Sequence, residues 1–143
     1  MSTASTSSIH NHNFKYAIVL SIVTLLLLFN SNNILTKATP EFIIVHVTVP
    51  SKEVAKTIAQ ALLYKKLAAC VNIMPNILTF YAWKGKINED SELLLEIKTK
   101  AKLFDSLSKT VQTIHPYDVP EVIAIPIERA SKPYTAWLEK NTL

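Results

Sequence analysis

One short stretch of this chain combines residue types that often take part in binding or catalysis. Residues 114–121 read Ile-His-Pro-Tyr-Asp-Val-Pro-Glu and place an imidazole, a phenol and two carboxylates close together. Imidazoles and carboxylates can transfer protons or bind metal ions. The two prolines fix φ at two points and remove two backbone donors, so the connection is stiff and holds its polar side chains in set directions. This pattern predicts a functional loop, and a plain helix-to-strand connection with exposed polar residues is the alternative.

The composition describes one folded domain and excludes several classes of protein. The 143 residues are 49% hydrophobic and 18% charged, as expected of a folded domain of ordinary size. A single glycine excludes the glycine-rich loops that cradle phosphates, and a single cysteine excludes an internal disulfide or a four-cysteine zinc site. Of the 15 Lys and Arg residues, Lys15 and Lys37 lie in residues 1–40, which contain no Asp or Glu. Residues 41–143 therefore contain 13 basic and 11 acidic residues, a nearly balanced charge. That balance gives no electrostatic support for a nucleic-acid partner.

Residues 1–40 are predicted to be targeting or anchoring material that precedes a domain at residues 41–143. The opening residues are polar and without periodicity, which is typical of a disordered lead. An almost wholly apolar run, Tyr16–Phe29, follows a lysine, and as a helix it would span about 21 Å of a bilayer core that is ~30 Å thick. The pattern predicts a secretory signal peptide or, over residues 15–35, a membrane anchor. A core helix in a cytoplasmic protein is the alternative.

The rest of the chain alternates between strand and helix patterns. A β-branched apolar run predicts a buried strand at residues 42–49, and Ser51 is a good N-cap for the helix after it. Lys84-Gly85 predicts a tight hairpin turn. The other predicted elements are hairpin arms at 69–83, interrupted at Pro75, and at 86–99, a helix ending at Ile114, an edge strand at 122–127 and a short helix beginning at Ser131. The order β-α-β-β-α-β with a C-terminal helix is the ferredoxin-like arrangement, an α+β sandwich with four antiparallel strands and both helices on one face.

The long hairpin predicts self-association. Each arm is much longer than the usual strand of about five or six residues. We expect Phe80, Tyr81 and Trp83 to lie on the sheet face opposite the helices, where an isolated copy would leave them in water. Because exposed apolar edges and patches attract partners, the domain is expected to oligomerise through this hairpin.

Five motifs in this order and spacing resemble the CutA divalent-cation tolerance family over residues 42–140. They are Val47–Ser51 (VTVPS), Leu67–Ile73 (LAACVNI), Tyr81–Lys86 (YAWKGK), Lys98-Thr99 and His115–Glu121 (HPYDVPE). The resemblance implies a ferredoxin-like fold in a tight homotrimer whose long hairpins pair between subunits. It also implies a link to copper tolerance in bacteria, to membrane-linked forms that affect acetylcholinesterase anchoring in animals, and no established enzymatic activity.

The resemblance also implies a site. Bacterial members are proposed to bind Cu(II) through a Cys, a His and a Glu, and the corresponding positions here are Val47, Ile114 and Glu121, of which only the glutamate is a ligand type. His115 could substitute in part, so Glu121 and His115 are the predicted ligands for Cu(II) or another divalent cation, with further ligands from a neighbouring subunit. A cleft between subunits is predicted to be lined by Trp83, Lys98, His115, Tyr117 and Glu121.

Four functions remain to be compared. The leading interpretation is a trimeric, non-enzymatic protein of divalent-metal response that binds a metal or small ligand in clefts between subunits, and a membrane-linked assembly or scaffold protein is the alternative. An enzyme could use Lys98, His115 and Glu121 for acid–base chemistry, but no nucleophile with an adjacent base is evident. RNA binding is disfavoured because the strand Glu92–Lys98 lacks the aromatics of an RNA-recognition motif.

Four other side chains receive structural predictions. Cys70, between two apolar residues on a strand, is expected to be a packed thiol. His46, on the central strand, is expected to be a satisfied core or interface histidine. Tyr134 and Trp137 are expected to pack the last helix over the edge of the sheet.

Overall fold

The computed structural model describes residues 40–143 and the single residue Ser21. The predicted signal or anchor segment, residues 15–35, therefore lies outside the described residues apart from that one position, and it stays a prediction. Residues 40–143 belong to one compact unit. Within the described residues, no helix combines the length and apolar character needed to cross a bilayer.

Four strands and three helices make up the described domain. They are β1 Phe42–Val49, α1 Lys52–Tyr64, β2 Cys70–Trp83, β3 Lys86–Lys100, a short 3-10 turn Ala101–Leu103, α2 Phe104–Ile114, β4 Ile123–Pro126 and α3 Lys132–Lys140. The sheet has the order β2-β3-β1-β4, and each neighbouring pair is antiparallel. The predicted α+β ferredoxin-like fold is confirmed.

Burial of one sheet face holds the domain together. Val45, Val47 and Val49 of β1 point to the same side because side chains alternate along a strand, and all three are fully buried. Leu95 and Ile97 lie opposite Val47 and Val45 on β3 and continue this layer. The residues of α1 and α2 that cover it include Ile58, Leu62, Leu107 and Val111. The other sheet face, which we call the open face, carries no helix from this core.

Local signals set the helix boundaries. The Ser51 side chain accepts a hydrogen bond from the Val54 backbone N–H at 3.3 Å, as the N-cap prediction requires. Hydrogen bonds from the first-turn backbone and from Ser51 hold the pKa of Glu53 below its usual range. α2 ends at Ile114 because His115 precedes a proline and adopts an extended backbone, with φ −67° and ψ 136°.

The hairpin of β2 and β3 turns at Lys84 and Gly85, which have φ of 50° and 76°. Two positive φ values in a two-residue loop are typical of a type I′ turn, so the predicted turn is found at the predicted residues. The predicted interruption at Pro75 was wrong, since β2 runs continuously and absorbs the proline in a bulge between Met74 and Ile77. A bulge tolerates the missing donor of a proline without ending the strand.

The bulge changes which residues of β2 reach the open face. Beyond it, Tyr81 pairs with Asn88 and Trp83 with Lys86, which places both aromatics on the open face as predicted. Phe80 alternates with them and lies on the opposite side of the hairpin, where 61% of it is exposed. The prediction that all three aromatics share the open face was therefore wrong for Phe80.

The last helix docks through a different residue from those predicted. Leu138 is fully buried, whereas Tyr134 and Trp137 are exposed and stack on each other with ring centroids 5.6 Å apart. The Lys100 ammonium lies 2.7 Å from the Glu139 carboxylate and joins β3 to α3. Leu138 and this ion pair take the inner side of the helix, so the aromatic pair is left on its outer side.

Candidate functional site

A cleft of about 500 Å³ lies between the open face and the loop that follows α2. Its walls come from three strands and this loop, and the residues that line it are Thr48 of β1, Thr79, Tyr81 and Trp83 of β2, Glu92 of β3 and Pro116–Glu121. The strand residues reach it together because antiparallel partners share a face and Thr79, Tyr81 and Trp83 alternate along β2 beyond the bulge. The stiff loop closes the remaining side.

His115 attaches this loop to the sheet. Its Nε2 lies 2.8 Å from the Thr48 carbonyl oxygen, and its Nδ1 accepts a hydrogen bond from the Tyr117 backbone N–H at 3.1 Å. Because Nδ1 accepts, the neutral ring carries its proton on Nε2 and donates it to Thr48. Both ring nitrogens are therefore engaged with backbone, and only 7% of the residue is exposed.

Two tyrosines bring hydroxyl groups to acidic partners. Burial, with a hydrogen bond to the Glu92 carboxylate as the second cause, raises the pKa of Tyr117 to about 12. The Tyr81 hydroxyl donates to Asp90 at 2.7 Å, and this bond raises the pKa of Tyr81. Both phenols thus remain neutral donors at physiological pH.

The structure brings together some of the predicted site residues and separates others. Trp83, Tyr117 and Glu121 line one cleft, and His115 lies behind it as the attachment of the loop. Lys98 does not line it. Six positions along β3 separate Lys98 from Glu92, which corresponds to about 20 Å of extended chain.

Lys98 instead belongs to a second polar group on the open face. Its ammonium pairs with the Glu96 carboxylate, and this contact holds the pKa of Glu96 below its usual range. Asn72 donates to Glu96 at 3.4 Å, and the Cys70 thiol lies 3.5 Å from the Asn72 amide oxygen. Cys70 and His46 are both half-buried rather than fully packed.

Residues 43–141 match the family model described as CutA1 divalent ion tolerance protein. The chain belongs to the CutA1 family. The Divalent-cation tolerance protein CutA of Thermus thermophilus is 50% identical over 99 residues, which are 69% of this chain and 96% of that relative. Human Protein CutA is 51% identical over 96 residues, which are 67% of this chain and only 54% of the human protein. The chain thus spans about half the length of that mammalian relative.

Solved structures agree with this assignment. The crystal structure of CutA1 from Oryza sativa has a TM-score of 0.71 and 48% identity, over 73% of this chain and 96% of the rice chain. A second rice relative, named Protein CutA 1, chloroplastic, is 49% identical over 107 residues. These residues are 75% of this chain and 60% of that protein.

The copper site that the CutA resemblance implies does not fit the residues of this chain. Val47 is fully buried in the helix-covered core and Ile114 packs against the same core, so neither position opens into the cleft. His115 has no free ring nitrogen, which leaves Glu121 as the one predicted ligand that lines the cleft. Within the described residues, no three His, Cys, Asp or Glu side chains are grouped closely enough to hold a metal ion.

Sequence reasoning missed Tyr81 and Glu92 as residues of the cleft. Only 3% of Glu92 is exposed, although charged residues are mostly exposed in folded proteins. The turn offered a signal, because a two-residue loop at Lys84-Gly85 sets Tyr81 opposite Asn88 and beside Asp90. The same register continues to Ile77 opposite Glu92, and the bulge shifts it only beyond that pair.

Proposed function

We propose that this CutA1-family protein is a non-enzymatic homotrimer that acts in the response to divalent metal ions and binds its ligand in the cleft beside the loop Pro116–Glu121. The observation that carries the proposal is the position of this cleft along the turn-proximal half of a long hairpin with exposed apolar side chains. A neighbouring subunit that covers the hairpin would also reach the rim of the cleft.

The hairpin supports self-association through its exposed apolar surface. Leu78, Phe80 and Ile87 are 60%, 61% and 76% exposed, on the side of the hairpin opposite to Tyr81 and Trp83. Burying such side chains is worth roughly 1.5–3 kcal/mol each. A repeating contact between identical subunits can bury them in a closed ring.

Sedimentation velocity of the full-length chain tests the trimer. Wild type is expected to sediment as a trimer at micromolar concentration, and Phe80→Glu is expected to shift it toward monomer because a charge would enter an apolar interface. Tyr64→Glu is the matched control, since Tyr64 is an exposed aromatic on α1, outside the hairpin. A folded wild-type monomer at these concentrations would contradict the proposal.

The residues of the cleft favour binding over catalysis. Thr48 and Thr79 carry its only hydroxyl groups of the serine or threonine type, and neither hydroxyl bonds a basic group in the described part of the chain. A nucleophilic mechanism needs such a base within hydrogen-bonding reach. A rigid, partly aromatic cleft with a few polar groups suits a small ligand.

Titration calorimetry with Cu(II) and Zn(II) tests the metal part of the proposal. Glu121 and a neighbouring subunit would have to supply the ligands, so affinity is expected to be modest and to fall at least about tenfold in Glu121→Ala. Glu128→Ala removes a carboxylate outside the cleft and serves as the control. Equal metal affinity in the two variants would exclude the cleft as the metal site.

Residues 1–40 are proposed to deliver the chain to the secretory pathway or to a membrane. The apolar run Tyr16–Phe29 behind Lys15 supports this proposal. Fusing residues 1–40 to a fluorescent reporter tests it, with Tyr16–Phe29 deleted in the control. A diffuse cytosolic signal from both fusions would refute this proposal. Membrane retention of only the fusion with residues 1–40 intact would support it and would also favour the alternative function as a membrane-linked scaffold protein.

A further inference from the structure

The cleft carries negative charge without a basic partner in its lining. Glu92, Asp118 and Glu121 line it, and no Lys, Arg or His does. The ion pairs within the described residues, Lys98–Glu96 and Lys100–Glu139, use lysines that lie elsewhere. An acidic cleft attracts cations and repels anionic ligands.

Glu92 is the most deeply buried acidic group of the cleft. It is only 3% exposed, so its carboxylate depends on the surrounding groups for hydrogen bonds or a counter-charge. Tyr117 is its neighbour, and this phenol is kept neutral by its burial. Tyr117 can therefore donate a hydrogen bond but cannot neutralise the charge. A cation that entered the cleft would do so.

Aromatic rings supply a second feature that suits a cation. Tyr81, Trp83 and Tyr117 line the cleft, and the face of an aromatic ring attracts positive charge. The chain itself provides an example, since the Lys84 ammonium lies 5.8 Å from the Trp83 ring centroid. Tyr81 is held by its bond to Asp90, and the His115 ring lies 4.9 Å from that of Tyr117, so these rings have defined positions.

The same residues suit an organic cation better than a bare metal ion. A divalent ion needs several oxygen, nitrogen or sulfur ligands at short range, and the described residues contain no group of three candidate side chains. A cleft of about 500 Å³ is large enough for a small molecule. Aromatic walls favour the methyl or methylene groups that surround an alkylammonium nitrogen, whereas they offer a metal ion no lone pairs.

We propose that the cleft binds a small organic cation of the alkylammonium class. Glu92 and Glu121 act as counter-ions, and Trp83, Tyr81 and Tyr117 contact the alkyl groups. This inference rests on the proposed function, because it names the ligand class of the same cleft.

Titration calorimetry of the full-length protein with tetramethylammonium chloride tests the proposal. Tert-butanol, which is similar in size but neutral, is the matched probe. Tetramethylammonium is expected to bind at least about tenfold more tightly than tert-butanol. Equal binding of the two probes would overturn the proposal, because the charge would then contribute nothing.

Variants locate the binding. Glu92→Gln preserves shape and removes the charge, and Trp83→Leu preserves an apolar wall and removes the ring, so each is expected to weaken tetramethylammonium binding at least about fivefold. Glu128→Gln and Trp137→Leu make the same kinds of change outside the cleft and should bind as wild type does. If Glu92→Gln fails to fold, the surface variant Glu121→Gln takes its place. Wild-type affinity in the cleft variants would refute the assignment.

The metal titrations separate this inference from the proposed function. Metal binding that depends on Glu121, without tetramethylammonium binding, would overturn the organic cation and leave the proposed function standing. A stable trimer that binds neither probe nor metal would refute the cleft as a ligand site altogether. Tetramethylammonium binding lost in the cleft variants, together with only modest metal affinity, is the result expected here.

Discussion

Replacing His115 with alanine is expected to destabilise the domain and loosen the loop that closes the cleft. The ring joins the Thr48 carbonyl to the Tyr117 N–H through two hydrogen bonds, of 2.8 and 3.1 Å, and is almost fully buried. A buried polar group that loses its partner costs roughly 1–3 kcal/mol. His115→Ala leaves two backbone groups, the Thr48 carbonyl and the Tyr117 N–H, without their partner. Water that enters the space left by the ring would offset part of this cost, so the free energy of unfolding is expected to fall by about 2–4 kcal/mol.

Two conservative variants test the hydrogen bonds separately. An Asn side chain places its amide oxygen near the position of Nδ1 and can accept from Tyr117, and a Gln side chain places its amide nitrogen near Nε2 and can donate to Thr48. His115→Asn and His115→Gln are each expected to recover about half of the lost stability. A metal-ligand role for His115 would give a different pattern, because both amides are poor ligands for Cu(II) and neither would restore metal affinity.

Guanidinium unfolding followed by circular dichroism measures these changes, at one fixed protein concentration because oligomerisation adds to the apparent stability. Gln112→Ala changes an exposed residue of α2 and should cost less than about 0.5 kcal/mol. If His115→Ala loses no more unfolding free energy than the Gln112→Ala control, His115 does not attach the loop to the sheet. The same conclusion would follow if neither amide variant recovered stability.

Three further substitutions probe the fold and its pH dependence. Thr99→Val removes the buried hydrogen bond of 2.7 Å to the Leu67 carbonyl and should cost about 1–3 kcal/mol in chemical unfolding; an unchanged midpoint would show that the bond adds nothing. Leu138→Ala empties a fully buried position and should cost about 2–5 kcal/mol and expose α3 to proteolysis, whereas unchanged protection would mean that α3 docks by other contacts. Lys98 lowers the pKa of Glu96, so the stability from this pair is present above pH 4.5 and is lost as pH falls through the lowered pKa. Glu96→Gln should remove that acid-dependent loss, which is below about 1 kcal/mol because the pair is partly exposed, and an identical pH profile in wild type and variant would contradict it.

The sequence by itself determined the fold and most of its boundaries. The alternation of strand and helix patterns, the N-cap Ser51 and the turn at Lys84-Gly85 all act over a few residues, so they can be read without knowing what packs against them. The same holds for the loop at residues 115–121, where proline sterics end α2 at the predicted residue. Motifs spread over the chain identified the family for the same reason, since each is a local pattern.

Only the tertiary structure decided which polar residues share the cleft. Glu92 and Lys98 point to the same face of β3, but they lie about 20 Å apart along the strand. Glu92 is buried in the cleft, whereas Lys98 pairs with Glu96 outside it. The two-residue turn places Tyr81 and Trp83 on the same face as Glu92, and the bulge between Met74 and Ile77 separates this register from that of residues 70–74, which face Lys98 and Glu96. A shift of register depends on the pairing of two strands rather than on either strand alone. The charge of the cleft, and with it the class of ligand that we propose, could therefore be read only from the folded chain.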